Sequence, residues 1–185
     1  MLTRYENVSR FHYMTYPAIT PVITSGTLEE PNAMAAAWAT PLSVEPPLYG
    51  VAVSPRRYTF ELIRKYGEFG VCFLPFDLAD KVLAVGSISG RKVNKFSRFG
   101  LSLQKPEKIR APLIGESLSA LECKVVKEFR TGDHVFFVGE VVVVWVREDM
   151  VKGKIFDFRK AKHVLYLGDG YFTTNDDRVI YPSEG

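Results

Sequence analysis

The sequence predicts a mainly β protein, an antiparallel barrel with a few short helices. Its two longest apolar strands, residues 118–129 and 135–147, flank the turn 131–133, which holds the glycine and aspartate that a hairpin needs. About seven or eight strands accompany about three short helices, so the alternating order of a parallel βαβ fold does not fit. A chain of 185 residues suits one domain, residues 1–185.

Composition and charge narrow the class of protein. With 46% hydrophobic and 24% charged residues, the chain is typical of a folded globular protein, and a net charge of +3 does not indicate a nucleic-acid-binding surface. The N-terminus lacks the apolar core of a signal peptide, and the longest apolar run, residues 135–146, is too short to span a bilayer. Cys72 and Cys123 lie far apart in apolar runs, which favours reduced, buried thiols. We expect a cytoplasmic protein that does not enter the membrane.

Local patterns predict the elements of the first third of the chain. Residues 18–27 have the composition of a β-strand, in which Pro21 indicates an edge or a bulge. Pro31 and Asn32 predict a turn. Residues 41–47 contain three prolines, which fix φ and remove hydrogen-bond donors, so they predict a rigid loop.

Two short buried strands are predicted next, at residues 48–54 and 68–74. Between them, three apolar residues spaced three apart over positions 60–66 predict a helix that Gly67 ends. A cap at Asp77 predicts a second helix that ends near Gly86.

The remaining chain is a basic segment followed by strands. Residues 87–100 combine four cations, a glycine turn and a short helix, and strands return at 163–168 and 171–174. The long strand 135–146 is apolar at both parities, so it must be covered on both faces or lie at a subunit interface. Gly139 indicates a bulge or kink within it. We therefore expect a stable homodimer.

One stretch has the residue types of an anion site. Ser54, Arg56, Arg57 and Thr59 surround the point where a strand runs into a helix. Free N–H groups, hydroxyls and guanidinium groups at a helix N-terminus suit a phosphate. A capped surface helix with two solvated arginines explains the same residues equally well.

Two neighbouring features bear on that site. Residues 33–40 carry such small side chains that a planar group can approach the backbone closely. The four cations of residues 91–98 form a second candidate anion site, although a basic helical turn is usually a solvated face. The three histidines show no metal-ligand spacing, and no Cys-x-x-Cys is present, so we expect no metal.

Motifs between Tyr16 and Gly170 resemble those of a known family. They are Asn32-x-Met34-x-x-Ala37-Trp38 with Thr40-x-x-Ser43-x-x-Pro46-Pro47, Arg57-Tyr58-Thr59, Arg91-x-x-Asn94-Lys95-Phe96, Leu121-Glu122-Cys123, and Gly132-Asp133-His134 with Val138-Gly139-Glu140-Val141. In this order the chain resembles the flavin reductase-like family of FMN-binding split β-barrel proteins, which includes flavoredoxins and archaeal ferric reductases. Asn94 departs from the aspartate of many relatives, which leaves Lys95 less firmly positioned.

The resemblance implies a Greek-key antiparallel split β-barrel that forms a homodimer and binds FMN near the subunit interface. It implies a hydride donor, NAD(P)H, and an acceptor that is free flavin, ferric iron or a partner protein. The implied isoalloxazine contacts are Ala37, Trp38, Ala39, Thr40 and Ser43, and the implied phosphate contacts are Arg57, Thr59 and Lys95, with Ser54 and Arg56 close by. His134 is implied to lie beside the flavin and to position the donor, although a lone histidine that merely packs on the hairpin fits as well.

Two alternatives from other classes remain at this point. The first is an FMN-binding electron-transfer protein that takes electrons from a protein donor and has little turnover with NAD(P)H. The second is a β-barrel that binds single-stranded nucleic acid through a stripe comprising Arg91, Lys92, Lys95, Phe96, Arg98 and Phe99. The three-residue spacing of the two phenylalanines instead favours packing of one helix face onto the barrel, so we expect no nucleic-acid partner.

Overall fold

The computed structural model describes residues 2, 4, 6 and 8–178. The strands among them are β1 (Ala18–Ile19), β2 (Val22–Gly26), β3 (Pro31–Ala35), β4 (Ala39–Ser43), β5 (Leu48–Val53), β6 (Glu68–Phe73), β7 (Leu103–Gln104), β8 (Leu113–Ile114), β9 (Ser119–Thr131), β10 (His134–Val146), β11 (Val151–Lys152), β12 (Ile155–Phe156), β13 (Leu165–Gly168) and β14 (Tyr171–Thr173). The α-helices are α1 (Tyr58–Tyr66), α2 (Ala79–Ser87) and α3 (Lys95–Phe99), and short 3-10 helices cover Phe11–Thr15, Phe76–Leu78 and Glu148–Met150.

The main sheet has seven antiparallel strands in the order β3-β2-β6-β9-β10-β5-β4. Its two edge strands, β3 and β4, are consecutive in the chain and are joined by residues 36–38. Four Cα–Cα steps of about 3.8 Å cannot separate these edges by more than about 15 Å, so the sheet must curl round. Among the described residues no ladder joins the two edges, which gives the barrel its split. The expected mainly β, split-barrel fold is confirmed.

Two apolar clusters hold this sheet and its helices together. Inside the curled sheet, Ile23, Val51 and Phe69 are fully buried together with Ile63 of α1. A second cluster joins α2 and α3 to the outside of β3 and includes Val82, which is also fully buried. The helices α1 and α2 therefore flank β3, next to the split.

The turn predicted at residues 31–32 was wrong, and the loop predicted at residues 41–47 begins only after Ser43. Pro31 and Asn32 form the start of β3 and pair with Gly26 and Ser25 instead of making a turn. The first part of the proline-rich segment belongs to β4, because Pro41 pairs opposite Tyr49 at the sheet edge. An edge strand tolerates proline, since the N–H that it lacks would face away from the ladder.

Two details of the other predictions also change. Pro21 does not lie within an edge strand, because it separates β1 from β2, and β2 is an interior strand. Asp77 does not cap the second helix, because it lies in a 3-10 turn and α2 starts after Leu78 without a side-chain cap. Backbone geometry alone starts that helix.

The glycine-based predictions for α1 and the long hairpin are confirmed. Gly67 adopts φ 69° and donates its N–H to the Ile63 carbonyl at 2.8 Å, which ends α1. At Gly139 the β9–β10 register shifts, as expected for a bulge. A Cβ there would lie 2.7 Å from the Phe69 ring and 2.8 Å from the Cys123 Cβ, so only glycine fits.

Two further observations concern the whole chain. Cys72 and Cys123 are both buried and free, as expected for reduced thiols. Within the described residues, no helix has the length and apolar character needed to cross a membrane.

Candidate cofactor site

Three adjoining cavities lie beside the split between β3 and β4. We call them the basic cavity, about 60 Å³, the alanine cavity, about 170 Å³, and the aromatic cavity, about 270 Å³. The first two share Met34 and Arg57, and the last two share Ala35 and Ala37. They therefore form one continuous groove along β3.

The basic cavity brings together three cations from the N-terminal ends of two helices. Arg56 and Arg57 precede α1, and Lys95 is the first residue of α3. Lys95 is only 3% exposed, and its Nζ donates to the carbonyls of Ala33 and Val85, each at 2.6 Å. An ammonium has three donors, so one remains for a ligand.

The charge of Lys95 is costly in this position. Burial, with a smaller effect of Arg57, lowers the pKa of the Lys95 ammonium to about 8. Throughout the described chain, no carboxylate forms an ion pair with Lys95 or Arg57. A buried cation without a counter-charge fits a site that an anion completes.

Asn94 positions this lysine after all. Its Oδ1 accepts hydrogen bonds from the backbone N–H groups of Phe96 at 3.0 Å and Ser97 at 3.2 Å. Asparagine therefore caps α3 as an aspartate would, and it fixes Lys95 in the first turn.

Thr59 and Asn32 complete the wall of the basic cavity. Asn32 is 1% exposed, and its Nδ2 donates to Thr59 Oγ1 at 2.9 Å and to Ser25 Oγ at 3.0 Å. Because Thr59 Oγ1 accepts from Asn32, its own hydroxyl hydrogen is available to a ligand oxygen. The Oδ1 of Asn32 is buried without a partner in the described structure. The sequence did not reveal this residue, because the Pro31-Asn32 pair has the local pattern of a turn.

The alanine cavity has small side chains along β3 and a ring pair at its mouth. Trp38 is 40% exposed, its ring lies 4.9 Å from that of His134, and its Nε1 donates to the Tyr16 hydroxyl at 3.2 Å. His134 Nδ1 lies 2.8 Å from the Asp133 carboxylate, which can only accept, so Nδ1 carries the hydrogen. This bond also lowers the pKa of Asp133.

The aromatic cavity extends the groove towards the C-terminal strands. Its walls include Tyr166 of β13 and Phe172 of β14, whose ring centroids lie 5.2 Å apart. Neither residue was predicted as part of the site, because both resemble ordinary aromatic residues of strands. Only the tertiary structure places them next to Ala35 and Ala37.

Most of the predicted site residues meet in this groove. Those that line it are Ala37, Trp38, Ser54, Arg56, Arg57, Thr59, Lys95 and His134. The other three, Ala39, Thr40 and Ser43, lie on β4 and line none of the three cavities. Contact of those three with a cofactor stays a prediction.

The stripe required for single-stranded nucleic acid does not form. Lys95 and Phe96 are 3% and 2% exposed, and Phe99 packs against the apolar cluster beneath α2. Bases need exposed rings for stacking, so this alternative loses its binding surface.

Comparison with known proteins agrees with the geometry. The model of the flavin reductase like domain matches residues 13–174. An FMN-binding protein from Thermus thermophilus is 31% identical, with a TM-score of 0.84 over 98% of this chain and 99% of that one. A ferric-chelate reductase (NAD(P)H) from Archaeoglobus fulgidus is 31% identical over 109 residues, 58% of this chain and 63% of the relative.

A putative flavin reductase with a split barrel domain from Shewanella frigidimarina shares the fold at 20% identity, with a TM-score of 0.82 over 97% of this chain and 94% of that one. The resemblance inferred from the motifs is thereby confirmed. The chain belongs to the flavin reductase-like family.

Proposed function

We propose that this protein binds FMN and acts as an oxidoreductase that takes a hydride from NAD(P)H and passes electrons to free flavin, ferric iron or a partner protein. The observation that carries the proposal is a buried ammonium, Lys95, without a carboxylate partner among the described residues. It lines the basic cavity of a groove whose other two cavities include alanines and aromatic rings in their walls.

The residues of the groove fit the parts of FMN. Lys95, Arg57 and Thr59 bind the phosphate, with Arg56 and Ser54 nearby, because each offers a donor without an anionic partner. The alanines of β3 allow a flat ring to lie against the backbone, and Trp38 bounds its edge. When bound, the flavin supplies the hydride chemistry, so the protein has to bind, orient and exclude water.

The relatives support this proposal by their names. A reductase that uses NAD(P)H and an FMN-binding protein share the fold or the domain of this chain. We propose that the protein acts in the cytoplasm, because the ligands proposed for the groove, FMN and NAD(P)H, are soluble molecules.

We expect the apoprotein to bind FMN at least about tenfold more tightly than FAD or riboflavin. The basic cavity holds about 60 Å³ and is walled by residues 88–90, so it suits a terminal phosphate and leaves little room for an adenylate. Riboflavin lacks the charge-assisted hydrogen bonds, each contributing about 1.5–3 kcal/mol. Titration calorimetry with the three flavins measures the affinities. Equal or tighter binding of FAD would contradict the assignment of the phosphate site.

We expect His134→Ala to slow flavin reduction by NAD(P)H about tenfold without loosening FMN. The Asp133 bond fixes the His134 ring at the mouth of the alanine cavity, where it positions the donor without giving up a proton. Stopped-flow absorbance of the FMN-loaded variant measures the rate, and calorimetry measures the FMN affinity. Lys154→Ala, exposed between β11 and β12 and away from the groove and the hairpin, is the control.

The same stopped-flow experiment separates the two flavin functions. If His134→Ala reduces at the wild-type rate at every donor concentration, His134 is structural. If the wild type itself is not reduced by NADH or NADPH on the time scale of turnover, the protein is an electron-transfer protein with a protein donor. Loss of FMN from His134→Ala would instead place the histidine in the cofactor site.

We also propose that the protein is a homodimer that pairs through the β9–β10 hairpin, with a mass of twice 20.9 kDa. Apolar side chains along this hairpin are exposed, including Val126 at 54%, Phe129 at 44% and Val144 at 64%. Burial of apolar area contributes about 25 cal/mol per Å² towards association, before the entropic cost of pairing two chains is subtracted. Light scattering at micromolar protein measures the mass, and a monomer would contradict the proposal.

A charge on the hairpin tests the surface itself. We expect Val144→Arg to weaken dimerisation at least about tenfold, because a buried unpaired guanidinium is costly. Ile155→Arg, on β12, replaces an equally exposed apolar side chain elsewhere and should leave the mass unchanged.

A further inference from the structure

The outer wall of the basic cavity is a short segment between α2 and α3. We call residues 88–91 the strap. Ile88, Ser89 and Gly90 line the cavity opposite the start of α1. Gly90 lies so close to Asn32 that a Cβ at this position would collide with Asn32 Oδ1. A ligand in the basic cavity is therefore enclosed between the strap and α1.

The side chain of Arg91 ties the strap to α1. Its guanidinium forms an ion pair with Glu61 in the first turn of α1 and lies 5.2 Å from the ring centroid of Tyr58. The Tyr58 hydroxyl in turn donates to Glu30 at 2.6 Å, between β2 and β3, and this bond raises the pKa of Tyr58 to about 12. Arg91 thus bridges the two walls of the cavity from outside.

Arg91 does not itself reach the ligand space. It is absent from the lining of the basic cavity, whereas its neighbours Ser89 and Gly90 belong to it. Two hydrogen bonds of the strap backbone stay within the segment and its next residue, from Arg91 N–H to Ser89 Oγ at 3.4 Å and from Lys92 N–H to the Ser89 carbonyl at 3.1 Å. The bridge to α1 through Arg91 therefore has the geometry of a latch.

The strength of this latch suits opening and closing. The side chains of Arg91 and Glu61 are 43% and 52% exposed, so water screens their ion pair and keeps it weak. The contact of the Arg91 guanidinium with the half-buried Tyr58 ring adds a second weak attraction. Contacts this weak allow the strap to open often. Their loss would still raise the fraction of molecules with an open strap several-fold.

We propose that Arg91, held by Glu61 and Tyr58, latches the strap over the phosphate of the cofactor and so sets how fast FMN leaves and enters. This inference rests on the proposed binding of FMN. Arg91 is a positioning residue, because it acts on the ligand through the strap. With the latch closed, FMN is retained as a resident cofactor; with it open, FMN exchanges as a diffusing substrate.

The first test measures exchange of bound FMN for excess isotopically labelled FMN, sampled by rapid desalting. We expect Arg91→Gln and Glu61→Gln each to release FMN about three- to tenfold faster than wild type. Association should accelerate as well, so the equilibrium affinity changes less than the release rate. The charge-swapped double variant Arg91→Glu with Glu61→Arg should return release to within about twofold of wild type. Lys92→Gln, an exposed neighbour, is the matched control.

The second test needs no flavin. Amide hydrogen exchange of the apoprotein should be faster at residues 88–92 in Arg91→Gln than in wild type, and unchanged in Lys92→Gln. Wild-type exchange of FMN in both single variants, or a double variant that fails to recover, would overturn the latch. A wild type that binds no FMN would overturn the proposed function, whereas unchanged amide protection in Arg91→Gln would overturn the latch alone.

Discussion

Lys95→Met is expected to weaken FMN binding by about ten- to a hundredfold or more. The substitution removes a charge-assisted hydrogen bond to the phosphate, which contributes about 1.5–3 kcal/mol, and it leaves the site without its buried cation. Arg57→Ala should weaken binding to a similar extent. Calorimetric titration with FMN measures both, and Lys92→Met, an exposed lysine nearby, should bind FMN as the wild type does.

The two variants should differ in stability. Lys95 Nζ also binds the carbonyls of Ala33 and Val85, so its loss leaves two buried acceptors unsatisfied, at a cost of roughly 1–3 kcal/mol that removal of the buried charge partly offsets. Arg57 makes no ion pair within the described residues, and its loss should leave stability nearly unchanged. Wild-type FMN affinity in both variants would show that neither cation binds the phosphate.

The pKa of Lys95 gives the same site a pH signature. Its folded-state pKa, about 8, lies below the ordinary lysine value of 10.5, so between these values the unfolded chain binds more protons and the stability of the apoprotein rises with pH. FMN binding needs the charged ammonium, so affinity should fall as pH rises above about 8. Opposite trends in stability and affinity, both absent from Lys95→Met, would identify this lysine as the titrating group.

The second large effect is expected from Glu122→Gln, which should lower the free energy of unfolding by about 3 kcal/mol or more. Glu122 is fully buried, and its carboxylate accepts from the backbone N–H groups of Glu107 at 2.7 Å and Lys108 at 2.6 Å. It also accepts from Ile109 N at 3.2 Å and from Trp145 Nε1 at 2.8 Å. A carboxamide replaces one accepting oxygen by an NH2 group, which cannot accept a hydrogen bond from the donors that face it. The two hydrogen bonds to that oxygen are therefore lost.

Thermal unfolding measures this effect. For a domain of this size, 3 kcal/mol corresponds to a fall in Tm of roughly 6–12 °C. Glu107→Gln changes an exposed carboxylate in the same loop and should shift Tm by no more than about 2 °C. If Glu122→Gln is as stable as Glu107→Gln, the backbone N–H groups of residues 107–109 must be able to form hydrogen bonds with water instead of Glu122.

Much of the fold was predictable because it is encoded over short distances. Apolar spacing and Gly67 fixed the extent of α1, and the Gly132 turn fixed the long β9–β10 hairpin. The predicted turn at Pro31 and the loop at Pro41 were wrong for one shared reason. Proline excludes a residue from a ladder only where its N–H would face a neighbouring strand, and edge position is a property of the whole sheet.

The candidate site also has features that were visible in the sequence and others that only the fold decided. The cations, hydroxyls and small residues were visible in the sequence, because their chemistry is a property of residue type. Which of them meet was decided by the curl of the sheet, which brings Asn32, Thr59 and Lys95 to one cavity from positions up to 63 residues apart. It also leaves Thr40 and Ser43 on a strand outside the cavities.

By itself the sequence determined which segments have the apolar spacing of helices or strands, where the long hairpin turns, and which residue types could bind an anion. Each of these features depends on neighbours within a few positions. Tertiary structure alone decided that Lys95 is buried on two carbonyls, that Tyr166 and Phe172 extend the groove and that Arg91 bridges to Glu61. The burial of a side chain and the partner of a charge depend on contacts between residues that are far apart in the sequence. Local sequence patterns contain no information about those contacts.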